Sequence, residues 1–405
     1  MDFAQDRVTT LHALAEPDRI PNAPTARTTV LVPMAAADAG PGSDRVFSAL
    51  ETLDIERVVV ALRAPADRVP SIEKRLASRS IPIELLWCNG PRIEGLLRAQ
   101  DLDGPSGKGR DVWLGLGLAA ESQYVAIHDA DTASYTEAYV PRLVAPLGTG
   151  SERSERSENG DVNEDDGEGG NENRNERGTN GYRFTKGYYA RIEGDRLYGR
   201  LCRLLYAPLV RTLAESHDAS ILPYLEAFRY GLAGECAMTG DLAREVRCRR
   251  GWGLEVGLLG EVFGVAGSEW VAQVDLGAHD HEHRSVDGVA GLSAMAESVA
   301  DALLQTVEDR GVQPAYASLP ERYREQAMAF VDSYHADAAF NGLAYDATGE
   351  RRQVRAYADA ITPPETDDRL PAWEDAPIAA ESVRAAARAD LEAIAEGSAI
   401  QGAYR

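Results

Sequence analysis

The sequence predicts an α/β protein: a mainly parallel sheet flanked by helices, followed by a helical C-terminal appendage. Two observations carry this. Apolar runs of strand length at 28–34, 57–62, 83–88 and 124–127 alternate with stretches of helical periodicity, the order that builds a parallel sheet with helices on its faces. The run at 124–127 is also apolar throughout rather than at every second residue, as a strand covered on both faces must be. At 405 residues the chain has room for one large core with appendages, or for two domains.

Residues 1–27 carry Pro17, Pro21 and Pro24 and few periodic apolar positions, so they read as an irregular arm with a short helix over 8–15. The main domain is expected over 28–315. After strand 28–34, a helix over 43–53 has Ser43 as N-cap and Val46, Phe47, Leu50 and Leu53 on one face. Strand 57–62, helix 71–78 and strand 83–88 follow. A glycine-rich turn over 104–109 precedes a helix over 110–120, strand 124–127 and a helix over 137–147. The pattern breaks over 150–181, where Gly, Asn and acidic residues predominate. Residues 151–181 hold ten acidic and four basic side chains, the composition of a disordered surface insertion.

Beyond it the alternation resumes with strand 182–192 and a long helix over 194–214. Arg196, Arg200 and Arg203 recur on that helix, a solvated face for Arg200 and Arg203. A Gly-containing turn over 230–237, helices over 239–246 and 251–263, strand 270–277 and helix 287–310 complete the domain. Residues 316–405 read as helical in three pieces, 320–339, 349–360 and 381–396, packing on the core or on a second subunit.

Sixty-five acidic residues against forty-two basic give a net charge of −23, and only Lys74, Lys108 and Lys186 are lysines. That acidic, lysine-poor balance suits a protein kept soluble at high salt and offers nucleic acid no basic stripe. No run of about eighteen apolar residues is present, so no membrane span is expected. The acidic start, with Asp2 and Asp6, argues against a secretory leader. Cys88, Cys202, Cys236 and Cys248 lie far apart, as reduced thiols of a cytoplasmic protein do.

The stretch 123–131 organises the chemistry. Strand 124–127 ends in Asp129, Ala130 and Asp131, and in open α/β sheets ligands gather just beyond the carboxyl ends of strands. Two carboxylates there suit a hard cation, Mg²⁺ or Mn²⁺, that bridges to a substrate's phosphates. The alternative is a helix N-cap. Lys108 sits between Gly107 and Gly109 without P-loop spacing, where a flexible ammonium can reach a phosphate; an ordinary loop is the other reading. His279, His281 and His283 alternate, so an extended chain puts them on one face. One of them as a metal ligand fits an oxygen-rich ion better than a three-histidine zinc site, and a polar turn is the plain alternative.

These features occur in a fixed order. The Asp129/Asp131 pair ends the fourth strand, and the GKG turn precedes it. Gly234 and Glu235, the segment GWGLEVGLL from Gly251 and a histidine after VDLG follow. The series resembles the retaining GT-A glycosyltransferases that make glucosyl-3-phosphoglycerate, and more distantly the mannosyl-3-phosphoglycerate and mannosylglycerate synthases. It spans roughly residues 28–310 and is densest over 230–284.

The resemblance implies a GT-A fold and metal-dependent transfer of glucose or mannose from a nucleoside-diphosphate sugar. The acceptor is small and hydroxylated, such as 3-phosphoglycerate or glycerate, and configuration is retained. It implies Mg²⁺ or Mn²⁺ held by Asp129, Asp131 and His281, with Asp131 the direct ligand. Lys108 would contact the nucleotide-sugar, Arg196 the acceptor, Glu235 the hydroxyls of the transferred sugar, and the Leu232 carbonyl would face the anomeric carbon. Glu255 opens the matching helix, as an acceptor contact or a structural residue. His279 and His283 stand where relatives place an arginine and an asparagine near the acceptor phosphate. Pro33-Met34-Ala35-Ala36-Ala37 replaces a Pro-Ala-Leu-Asn-Glu-like sequence that holds the nucleotide. A homodimer is implied as well. The rival readings are a nucleotidyltransferase acting on sugar phosphates and a non-catalytic nucleotide-sugar-binding protein.

Overall fold

A computed structural model describes residues 5, 7–12, 19–148, 181–279, 288–364 and 367–403. Its strands are β1 (Thr9–Leu11), β2 (Thr28–Ala35), β3 (Arg57–Arg63), β4 (Ile83–Trp87), β5 (Tyr124–Ile127), β6 (Phe184–Glu193), β7 (Arg196–Leu197), β8 (Cys236–Thr239), β9 (Cys248–Arg249), β10 (Val271–His279) and β11 (Arg369–Leu370). Nine of them form one sheet in the order β4-β3-β2-β5-β8-β6-β10-β1, with β7 folded back on β6. Along that path every pairing is parallel except those of β8, which runs antiparallel to both β5 and β6.

The apolar runs are continuous because successive residues feed two cores. Leu31, Val59, Val125 and Ile127 join one cluster, whereas Val30, Val32, Val58, Val60, Tyr124 and Ala126 join the other. Helix Lys108–Ala119 covers the first face, and helix Pro41–Leu50 covers the second with Val46, Phe47 and Leu50. The chain lays β2, β3 and β4 outward, then returns to place β5 on the far side of β2. Such a reversal leaves a crevice beyond the carboxyl ends of the two strands.

Three expectations about secondary structure are corrected. Within the N-terminal arm, Thr9–Leu11 is an edge strand on β10 rather than helix, because the partner strand supplies its backbone hydrogen bonds; residues 13–18 lie outside those described. The helix expected over 194–214 starts late. Gly194 (φ 49°), Asp195 (φ 58°) and Gly199 (φ 78°) adopt left-handed backbone, so 194–197 make a hairpin turn and the helical chain runs from Leu201 to Ala214. The turn expected over 230–237 conceals the start of β8. The acidic insertion, apart from Gly181, lies outside the described residues.

The C-terminal helices, Leu319–Phe340, Ala347–Ala358 and Ala380–Ala403, pack on the core. Tyr323, Val354, Tyr357 and Val383 belong to the same apolar cluster as Val125. Trp373 stacks on Trp113 at 4.5 Å between ring centroids, and its Nε1 donates to the Trp113 carbonyl at 2.6 Å. Arg203, expected on a solvated face, is buried and forms two hydrogen bonds with Glu350, at 2.7 and 3.1 Å. A charge sealed this way needs its partner, so Arg203 ties the appendage to the sheet.

Candidate active site

Four strands bring the site together at one edge. His128 extends the pairing of β5 by one residue, its N–H donating to the Leu31 carbonyl at 3.1 Å, and the chain then emerges as Asp129, Ala130 and Asp131. Because β8 runs backward with Cys236 opposite Ile127, the segment preceding it meets these carboxylates. The carboxyl ends of β6 and β10 reach the same edge, where His279 pairs in register with Arg191. Between them lies a cleft of about 600 Å³ lined by Asp129, Asp131, Lys108, Glu255, Leu232 and neighbouring side chains.

The GKG turn is explained by its backbone. A Cβ at Gly109 would lie 1.7 Å from the Arg249 carbonyl oxygen, and one at Gly107 would lie 2.5 Å from that of Arg250. Glycine therefore lets helix Lys108–Ala119 start against the 249–250 backbone, where the Arg110 N–H donates to the Arg250 carbonyl at 3.0 Å. That start aims Lys108 into the cleft. Its Nζ lies 2.6 Å from Asp129 Oδ1 and 2.8 Å from Glu255 Oε1. Burial alone would lower the ammonium's pKa, but the Asp129 and Glu255 carboxylates outweigh it and hold the group well above its ordinary value. Glu255 opens helix Leu254–Ala266.

Gly234 passes so near Asp129 that a Cβ there would lie 2.4 Å from Oδ2. Glu235 behind it is fully buried and accepts a hydrogen bond from Thr132 Oγ1 at 3.4 Å. Beneath the 230–235 segment the buried Lys186 Nζ donates to the Ala233 carbonyl at 2.5 Å, and the Gly187 N–H donates to that of Glu235 at 2.9 Å. The segment is thus fastened to β6. His128 is buried, which pushes its pKa down to about 3 despite Asp129, so the ring beside the carboxylates is neutral.

Two carboxylates on the cleft offer the oxygen donors that a divalent cation needs, so this part of the donor set fits. Among the described residues no cluster of three His, Cys, Asp or Glu side chains stands ready as a metal cage. His281, the third expected ligand, lies outside the described residues, as does His283. Arg196 is exposed on β7 and does not line the cleft; among the described residues Arg191 and Arg200 do. Helical spacing placed Arg196 and Arg200 on one face, and the left-handed turn between them removes that relation. Other cleft residues escaped the sequence reading: Asp38, Arg63, Asp111, Tyr198 and Trp252. Asp38 and Arg63 stand at the carboxyl ends of β2 and β3, a position that could have marked them.

No family model matches this sequence. The chain is 32% identical over 384 residues to glucosyl-3-phosphoglycerate synthase of Methanococcoides burtonii, across 89% of this chain and 88% of that one. It belongs to the glucosyl-3-phosphoglycerate synthase family. A second synthase of this name, from Persephonella marina, is 28% identical over 80% of this chain and 77% of its own. The glucosyl-3-phosphoglycerate synthase of Mycobacterium tuberculosis, crystallised with Mn²⁺, UDP-glucose and phosphoglyceric acid, superposes with a TM-score of 0.52 at 21% identity. That alignment covers 76% of this chain and 89% of that one, and the shared fold is GT-A. Membership makes the chain a glycosyltransferase and sets aside the nucleotidyltransferase and binding-protein readings.

Proposed function

We propose that the protein transfers glucose from a nucleoside-diphosphate glucose to the free hydroxyl of 3-phosphoglycerate, retaining the anomeric configuration. The observation that carries this is Lys108, fixed between Asp129 and Glu255 at the strand reversal of a GT-A sheet. The cleft then divides by chemistry. Asp38 and Arg63 stand at the nucleoside end, Lys108, Asp129 and Asp131 take the diphosphate, and Arg191 and Arg200 face an anionic acceptor.

Mg²⁺ or Mn²⁺, held by Asp129, Asp131 and His281, would supply charge to offset that of the diphosphate. The remaining roles are the chain's own. Lys108 donates to the departing diphosphate, a leaving-group interaction that strengthens as negative charge develops. The Leu232 carbonyl shields the positive charge that grows at the anomeric carbon. Glu235, fully buried and outside the cleft lining, accepts from Thr132 and supports the segment that carries Leu232. Glu255 keeps Lys108 in place. Arg200, which lines the cleft, rather than Arg196, which does not, pairs with the acceptor's phosphate beside Arg191. The acceptor hydroxyl attacks from the face the diphosphate leaves and its proton passes to a departing oxygen, so no side chain need act as base.

The Mycobacterium tuberculosis enzyme, crystallised with UDP-glucose and phosphoglyceric acid, supports this choice of substrates. Four buried free thiols accord with a reducing, cytoplasmic setting, and the family resemblance supports a homodimer, which light scattering checks. Among the described residues no helix is long and apolar enough to cross a membrane. Incubation with Mn²⁺, UDP- or GDP-glucose and 3-phosphoglycerate, followed by ¹H NMR, tests the reading. It predicts nucleoside diphosphate and an α-glucoside. Pyrophosphate or a β-glucoside would overturn it.

A further inference from the structure

We propose that Arg63, held by Asp111, reads the base of the sugar nucleotide and selects one that carries a ring N–H beside a carbonyl, as uracil and guanine do. The inference rests on the nucleotide-sugar reading above.

β2 and β3 end side by side, with Ala35 opposite Arg63. The chain leaves β2 in the single turn Ala36–Asp38, and the Asp38 carboxylate accepts the Ala35 N–H at 2.5 Å, which fixes it over the strand tip. Both Asp38 and Arg63 line the cleft. With the diphosphate at Lys108 and Asp129, and the arginines for an anionic acceptor at the opposite end, the nucleoside lies over this tip.

Arg63 is no ordinary surface arginine. Its Nε donates to Asp111 Oδ2 at 2.9 Å, and the Asp111 side chain is only 3% exposed while that of Arg63 is 38% exposed. Asp111 lies in the first turn of the helix that begins at Lys108, so one helical turn sets both cations. Keeping a carboxylate out of water costs free energy, and here that carboxylate orients a guanidinium toward the cleft. The bond uses Nε, and the two terminal amino groups make no hydrogen bond to any described residue. A guanidinium fork held this way presents N–H donors, while Asp38 presents an acceptor.

The edge of a base remote from its sugar meets that wall. In uracil it offers O4 beside N3–H, and in guanine O6 beside N1–H, so the carbonyl faces Arg63 and the N–H faces Asp38. Cytosine and adenine reverse both groups. Their amino group would meet the N–H donors of Arg63 and their bare ring nitrogen the carboxylate, leaving polar groups unpaired. Unpaired polar groups discriminate far more strongly than a missing apolar contact.

Titration calorimetry with Mn²⁺ and UDP, GDP, CDP or ADP tests this on the full chain and its R63A and D111N variants. Wild type should bind UDP, GDP or both at least about tenfold more tightly than CDP and ADP, the scale of a charged hydrogen bond. R63A should lose about 10- to 100-fold for the preferred base and change little for the others. D111N should show a smaller loss with the same dependence on base. Equal losses across all four nucleotides would make Arg63 a diphosphate contact and overturn the proposal. So would a wild type without base preference, or a preference that survives R63A. Failure of wild type to bind any of the four would overturn the nucleotide-sugar reading itself.

Discussion

Lys108 Nζ and Asp129 Oδ1 lie 2.6 Å apart, although the two residues sit at the start of a helix and beyond the end of the following strand. The contact joins the GKG turn to the carboxylate pair. With Glu255 at 2.8 Å on its other side, the ammonium is poised at the point where a diphosphate meets the sheet edge. Replacing it by methionine keeps the length and removes the charge. K108M should lower kcat by about 10²- to 10³-fold, the loss expected when one donor to a developing anion is removed. Steady-state kinetics at saturating donor measures this, and circular dichroism verifies the fold.

Gly234 has no space for a side chain, because its Cβ would press on the Asp129 carboxylate. G234A should therefore displace Asp129 and impair metal-dependent turnover. Its thermal midpoint should fall modestly, since overpacking at one position costs about 1–3 kcal/mol. Normal activity in a folded G234A protein would show that Asp129 tolerates displacement.

Burial raises the Asp111 carboxyl to about 6, although Arg63 and Arg110 pull it down. An aspartate in the unfolded chain ionises at about pH 3.9. The folded protein thus holds this proton more tightly, so its contribution is fully present below about pH 4 and is lost as pH rises through 6. A shift of about two pKa units corresponds to roughly 3 kcal/mol. D111N cannot ionise. The stability of wild type minus that of D111N should fall by up to about this amount between pH 4 and 7, then level off. Urea unfolding at several pH values measures the difference, and a constant difference would contradict the assignment.

How much of this was legible follows from what each residue needs. β5 and its carboxylates showed because a strand buried on both faces is apolar at every position, so two acids at its end stand out. Lys108 showed because lysine is scarce in this chain. Arg200 was passed over because its approach to the cleft depends on left-handed backbone at Gly194, Asp195 and Gly199, which interrupts the helical periodicity used to place it. β1 and β8 were missed since strands of three and four residues take their pairing from distant partners. Arg63 and Asp111 come together only through the fold, as does the stacking of Trp113 on Trp373.

The central claim is that Asp131, at the tip of β5, serves a cation-assisted transfer rather than capping a helix. Activity of D131A with Mn²⁺, nucleoside-diphosphate glucose and 3-phosphoglycerate tests it most directly, alongside its melting temperature. The account predicts turnover reduced to background in a protein that melts within a few degrees of wild type, about the shift expected for one partly exposed side chain. Undiminished transfer by D131A would contradict it.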